Sequence, residues 1–311
     1  TELLTENCEF LTVVPGAGGE FGVDRPRIGY KSRDDVNKDS GDWGINVQYY
    51  IEPLGLDAAF IYMNNTDRLI NGLYATSGDT TEDENALARE TNAILLGHYG
   101  WAFKDDVDTF GIALSKEMFD ISWGMDLVYR KDTGLSPDLS ASLGAPVSGP
   151  VDGGDNYPGA TGDTMHVVIN GVGFLNGEWG LWEGGSYVVE ATFSKLDSFG
   201  ENEEKASAFI HEDRWNSHIA AVFRPTWYQV FPGWDLTVPM SVSYQIDGEQ
   251  SPSSAGGTEE IGNGSIGVKF LVNEVWDLTA QYNVYFGPQG NGSEAFIKDR
   301  DNIALTVKRT F

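Results

Sequence analysis

Cysteine is almost absent from these 311 residues: Cys8 stands alone. One thiol cannot form an intramolecular disulfide or a cysteine-based metal site. Basic residues are scarce too. Twenty Lys and Arg face 47 Asp and Glu, giving a formal charge of -27. Nucleic-acid binding needs a basic surface, so that class is excluded. An acidic chain fits contact with salt or with cation-rich glycolipid, and simple solubility would also explain it. No run of 18 uninterrupted apolar residues occurs, which excludes a transmembrane helix. It does not exclude a transmembrane β-barrel, whose mark is alternation at modest hydropathy. The four histidines, His98, His166, His211 and His218, sit in no catalytic or metal motif. No signal peptide is visible at Thr1. Either it has been removed or the chain begins part-way through a longer protein.

What is present is a period of two. In WDLTVPMSVSYQI (234–246), Trp234, Leu236, Val238, Met240, Val242, Tyr244 and Ile246 alternate with Asp235, Thr237, Pro239, Ser241, Ser243 and Gln245. Successive side chains of a strand point to opposite faces, so this stretch is a strand with one apolar and one wet face. Its length exceeds the usual ~5–6 residues of soluble strands and suits the ~9–11 of a tilted membrane strand. The pattern recurs at 45–51, 56–62, 110–114, 119–129, 266–272, 276–286 and 303–311, and more weakly at 165–173, 187–193 and 219–227. That makes about eleven strands.

The connections add direction. EPLG (52–55), SKEM (115–118), VFPG (230–233) and NEVW (273–276) are short, as is the link near 175–184. Long polar stretches lie near 64–106, 131–162, 196–217, 247–263 and 287–300. Regular exchange of short and long connections is the habit of outer-membrane barrels, with short turns periplasmic and long loops outside. On that count the C-terminus is periplasmic. The strand at 41–52 runs inward and needs a predecessor. Residues 1–40 are expected to be a partly irregular segment with poor strand candidates around 8–14 and 27–30. The wall, 41–311, is therefore expected to be part of a larger barrel. Residues 83–98 are expected to form a helix in the longest loop, because Leu87, Ile94 and Leu95 recur at helical spacing. These three are the candidate loop gate.

The wet parity supplies candidate lumen-lining residues: Asp120, Asp126, Arg130, Arg224, Asp235, Thr237, Ser241, Ser243, Gln245, Lys269, Gln281, Asn283 and Lys308. The plain reading is that such charges pair and stiffen a wall. Pro225 and Pro239 fall inside strands, where proline removes a ladder donor, so local breaks in pairing are expected. His211 and Asp213 share a face in HED (211–213), and a solvated loop mouth is the preferred reading over a catalytic pair. DGEQ (247–250) and GTEE (257–260) offer oxygen ligands for loop-bound Ca²⁺, but neither matches an EF-hand, and solvated charge is preferred. No catalytic residue, metal site or cofactor is expected.

Four stretches carry a family resemblance. They are SGDWGINVQYYIEPLGLDAAFIYMN (40–64), DVDTFGIALSKEMFDISWGMDLVYRKD (106–132), RPTWYQVFPGWDLTVPMSVSY (224–244) and KDRDNIALTVKRTF (298–311). Together they resemble the DUF1302 family of proteobacterial outer-membrane proteins. The resemblance implies a longer barrel and, as a frequent companion, a DUF1329-type partner protein in settings of hydrophobic-compound catabolism. It also implies a channel for lipid-, steroid- or alkane-like molecules. The terminal Phe311 resembles the signature read by the barrel-assembly machinery. Arg309 departs from that signature, standing on the lipid-facing parity where it can snorkel. The resulting expectation is an all-β, up-and-down transmembrane antiparallel barrel in the bacterial outer membrane. It would contact outer-membrane lipid and lipopolysaccharide and pass hydrophobic small molecules without catalysis. The alternatives are a structural or adhesive surface protein whose loops bind partners or polysaccharide, and a soluble β-sandwich.

Overall fold

The structure is a computed structural model that describes residues 10–12, 25–30, 41–69, 71–78, 82, 93–144, 146–148, 151–177, 180–248, 251–252, 259–288 and 298–310. The chain is built almost wholly of strands. They are β1 (Phe10–Thr12), β2 (Arg25–Tyr30), β3 (Trp43–Ile51), β4 (Leu56–Asn65), β5 (Gly72–Ala75), β6 (Ala93–Ala102), β7 (Val107–Met118), β8 (Ile121–Gly134) and β9 (Thr161–Phe174). There follow β10 (Gly184–Phe199), β11 (Trp215–Phe231), β12 (Trp234–Thr237), β13 (Met240–Asp247), β14 (Gly262–Val272), β15 (Trp276–Phe286) and β16 (Asn302–Arg309). Among the described residues no helix is long and apolar enough to cross a membrane, which leaves crossing by strands open.

Twelve strands form one antiparallel meander in the order β16-β15-β14-β12-β11-β10-β9-β8-β7-β4-β3, with β13 beside β11 and β14. Each wall strand pairs with its neighbours along the chain. All eleven expected strands are there, several of them longer than the alternation alone suggests. β10 has 16 residues and β11 has 17. Among the described residues β3 pairs only with β4 and β16 only with β15, so the meander has two open edges.

The turns explain one correction. Phe119 and Asp120 have φ of +57° and +59°. Positive φ at both central positions matches the twist of a two-residue hairpin. Asp120 therefore sits at a hairpin tip between β7 and β8, not in the wall. Asn273 and Glu274, with φ of +49° and +59°, turn β14 into β15 in the same way.

A second correction concerns 234–246. It is two strands, broken at Val238–Pro239. Val238 N–H still donates to Pro225 O (3.0 Å), and Gly267 N–H to Pro239 O (2.9 Å). The return bonds would need N–H groups that Pro225 and Pro239 lack. The side-chain parity survives the break, so one apolar face continues from Trp234 to Tyr244.

Strands of the N-terminal segment and of the β4–β7 connection form a separate four-stranded sheet, β1-β2-β6-β5. The strand candidates near the N-terminus exist, but they belong to this sheet rather than to the wall. β2 runs parallel to β6, and β5 antiparallel to it. This overturns the helix expected over 83–98 for its last six residues, because Ala93–Ala102 is extended, while 83–92 lie outside the described residues. Ile94 and Leu95 stand in β6, and Leu87 lies outside the described residues. Gly97 and Gly100 weaken a helix at that point. Gly97 also approaches the β5 end so closely that a Cβ would collide with Thr76 O.

Burial in this chain is the reverse of a globular wall. The fully buried side chains gather where the long connections meet. One cluster holds Leu135, Ala160, Leu196, Ala206 and Ile210, with Phe199 against it. Another holds Tyr74, Ala102 and Tyr157, with Val147 and Val151. The exposed large side chains, by contrast, belong mostly to the meander.

Candidate functional site

The register assigns the two faces of the meander. Residues paired across antiparallel strands share a face. Ile45, Tyr62, Phe110, Tyr129 and Met165 form one such row, and Val47, Phe60, Ile112, Leu127 and Val167 form the next. This is the apolar face. Ile303, Leu305 and Val307 continue it on β16, 72%, 78% and 67% exposed. A hollow of about 440 Å³ indents it between Ile45, Phe60, Phe110 and Leu127. Arg309 shares this face and stacks its guanidinium over the Trp276 ring, 5.2 Å from the centroid. That cation–π contact accommodates the charge on the apolar parity.

The opposite face is polar. With Asp120 excepted, the candidate lumen residues fall on it together. Asp126 lies opposite Val168, and Arg130 opposite Thr164. Arg224 lies opposite Ser186. Thr237 meets Lys269, and Ser241 meets Ser265. Asn283 pairs with Ser265 and Gln281 with Gly267, while Lys308 pairs with Asp277. Ser243, Gln245 and Asp235 keep the same parity.

Most of these groups hold one another. Ser241 and Ser265 hydroxyls lie 2.7 Å apart, and Thr226 and Thr237 3.0 Å. Gln281 Nε2 donates to Asn283 Oδ1 at 2.9 Å. Lys269 is ion-paired to Asp277. Asp235 accepts from the Gln229 N–H, and Gln245 donates to Gly248 O. Two histidines join the web unannounced by any motif. His166 bridges Ser194 and Thr164 hydroxyls at 2.9 and 3.0 Å, and His218 bonds Ser243 at 2.7 Å. Their wet parity was the one sequence signal for them. Both have hydroxyl partners and no carboxylate in these contacts, so neither makes a Ser–His–acid arrangement there. Among the described residues no group of three His, Cys, Asp or Glu is placed to hold a metal ion. His211 bonds Glu203 O, lies 3.8 Å from the Glu203 carboxylate and stacks on Phe199 in the cap.

At one end the long connections fold over the polar face and tie together. Val147 N–H donates to Ala75 O, and Asp105 N–H to Gly153 O. Ser207 N–H donates to Ser136 O, and Ser136 N–H to Pro252 O. The last bond links the β8–β9 connection to the β13–β14 connection, four strands away along the sheet. Asn202 and Lys205 reach the carbonyls of Tyr157, Pro158 and Gly159. The cap is fastened to the wall through Asp67, which periodicity could not reveal. Asp67 is 3% exposed and ion-pairs with Arg130 at 3.1 Å while accepting from the Thr133 hydroxyl at 2.7 Å. Lys104 pairs with Asp132 at 2.9 Å beside it. Asp152 caps its own loop. The Asn156 amide, and then the Asn156 and Gly154 N–H groups, hold its carboxyl below the usual range, with Lys104 adding to the effect. Burial pushes the Tyr157 hydroxyl up, so it stays neutral within the cap.

Compared with known families, residues 1–311 match one described as Protein of unknown function (DUF1302). No curated protein and no solved structure matches the chain.

Proposed function

The chain belongs to the DUF1302 family, and on that premise we propose that it is an outer-membrane channel for hydrophobic small molecules, without catalysis of its own. One observation carries the reading: the meander is apolar on its exposed face and hydrogen-bonded on its polar face. In water such a surface costs roughly 25 cal/mol per Å² of apolar area, whereas hydrocarbon removes that cost. Outer-membrane barrels place apolar residues toward lipid and polar ones toward the interior. Short turns at one end and a cap of long loops at the other fit periplasmic and external ends, with the C-terminus periplasmic. The open edges of β3 and β16 must find partners there, because hydrocarbon tolerates no unpaired backbone. Outer-membrane lipid, lipopolysaccharide, the barrel-assembly machinery and a DUF1329-type protein are the partners of this reading.

The test is uptake. Cells lacking the gene should take up labelled hexadecane or a labelled sterol more slowly, and the restored gene should return the wild-type rate. Equal rates with and without the gene overturn the transport reading. A second reading, a structural or adhesive surface protein, is favoured by the cap, whose two buried clusters make a compact outer body. It predicts unchanged uptake and reduced attachment of the deletion strain to polysaccharide-coated surfaces.

A further inference from the structure

We infer that Arg224 anchors the carboxylate of an anionic amphiphile on the polar face, an inference that rests on the channel reading and names its ligand class. The chain carries a net charge of -27, so its cations have carboxylates to choose from. On the polar face they have chosen. Arg130 holds Asp67, and Lys269 holds Asp277. Lys308 stands directly across from Asp277. Arg224 has no acidic residue across from it, since Ser186 stands there. It is exposed, and among the described residues no carboxylate lies within ion-pair distance of it.

The carboxylates on its side of the sheet are occupied or distant. Glu183 accepts from the Tyr228 N–H at 2.6 Å, and Asp235 from the Gln229 N–H at 2.8 Å. Glu190 shares the polar face but lies four residues along β10 from Ser186, the residue opposite Arg224. At ~3.4 Å per residue that is about 14 Å. A guanidinium left free in an acidic chain attracts an anion from outside, and its fork fits a carboxylate with two parallel hydrogen bonds.

What lies beside it selects the rest of the ligand. The next cross-strand row on the same face is Val172, Val188 and Val222, on β9, β10 and β11. Three valines in register make a continuous apolar strip on a face that also carries Ser, Thr, Asn and His. The strip crosses two strand spacings, about 10 Å. On the other flank of Arg224 stands Pro239, which packs toward Gly267, where a Cβ would lie 3.4 Å from its ring. So one free cation borders an apolar strip and a bare stretch of wall. A small hydrophilic anion would use the cation alone. A molecule with a carboxylate head and an alkyl or ring body would use both.

The experiment uses the full-length protein in lipid nanodiscs, with binding to protein-free discs subtracted, and dodecanoate and dodecanol as probes. Wild type should bind dodecanoate more tightly than dodecanol. Arg224→Gln should weaken dodecanoate by about tenfold, the scale of one charge-assisted contact, and leave dodecanol unchanged. Arg224→Lys should keep most of the dodecanoate affinity, which guards against a folding defect in the Gln variant. Val222→Asn should weaken both probes. Equal binding of both probes by wild type, or an unaltered dodecanoate affinity in Arg224→Gln, overturns the anchor and leaves the channel reading standing. Binding of neither probe overturns both.

Discussion

Leu305 and Leu135 are the same side chain in opposite circumstances. Leu305, on β16, is 78% exposed, whereas Leu135, in the cap, is 0% exposed. The contrast extends to their neighbourhoods. Around Leu305 the wall presents Ile303, Val307 and Tyr282 outward. Around Leu135 the cap buries Leu196, Ile210, Ala160 and Ala206. The cap thus obeys the rule for a protein in water, and the wall inverts it. Two opposite burial rules in one chain are what two solvents would require, and that is the physical content of the proposed membrane location. The junction between them is made of charge: Arg130 and Thr133 on the β8 wall strand hold Asp67 of the loop.

That junction offers the largest effect. Asp67→Ala removes the partner of Arg130 and the acceptor of Thr133, and leaves a guanidinium whose side chain is 16% exposed. Breaking a buried ion pair costs about 3–5 kcal/mol, and the remaining exposure of Arg130 places this one at the lower end. The loss should appear as faster amide exchange in 66–76 and 132–136, with exchange in β14–β16 unaltered. Uniform loosening of wall and cap together would show that the two regions are not separable.

Next comes the wall itself. Ile112 sits near the middle of β7 on the apolar face. If that face meets lipid, Ile112→Arg should cost about 2–4 kcal/mol of folding stability in bilayers, as for a charge near the midplane. The same change at Ser115, which has the polar parity, should cost far less. Denaturant titration of both variants in lipid vesicles measures the difference. Equal costs would remove the distinction between the faces.

The two regions also differ in how much of them the sequence reveals. The wall was legible because its side chains alternate against two environments and its strands pair in chain order. Register then placed every candidate polar-face residue except Asp120. That residue continues the alternation but serves as a hairpin tip, where turn geometry outweighs pattern. The cap was not legible. Its β5 has four residues, and β2 pairs in parallel with a strand more than sixty positions away. Nothing local announces such a partner. Ile94 and Leu95 show helical spacing but sit in β6, so a three-residue stripe was weaker evidence than Gly97 and Gly100. Asp67, His166 and His218 gain their roles from neighbours brought by other strands, which no spacing encodes.

The smallest effect lies where the wall departs from its own rule. Pro225 and Pro239 each withhold one N–H from the pairing around β12 and β13. Val238 and Gly267 donate to them and receive nothing back along the ladder. In Pro239→Ala the new N–H would face the Gly267 carbonyl across the existing 2.9 Å bond. One restored ladder bond contributes about 0.5–1.5 kcal/mol. Part of this is offset, because alanine frees the unfolded chain and loses about 0.4–1 kcal/mol of proline's stiffness. The net gain should therefore be small, below about 1 kcal/mol, but the local gain should be clear. Amide exchange at Gly267 and Met240 should slow relative to wild type, while exchange in the cap stays the same. Should the exchange remain unaltered, the break at Val238–Pro239 would be fixed by the strands on either side, and the missing donor would be its consequence rather than its cause.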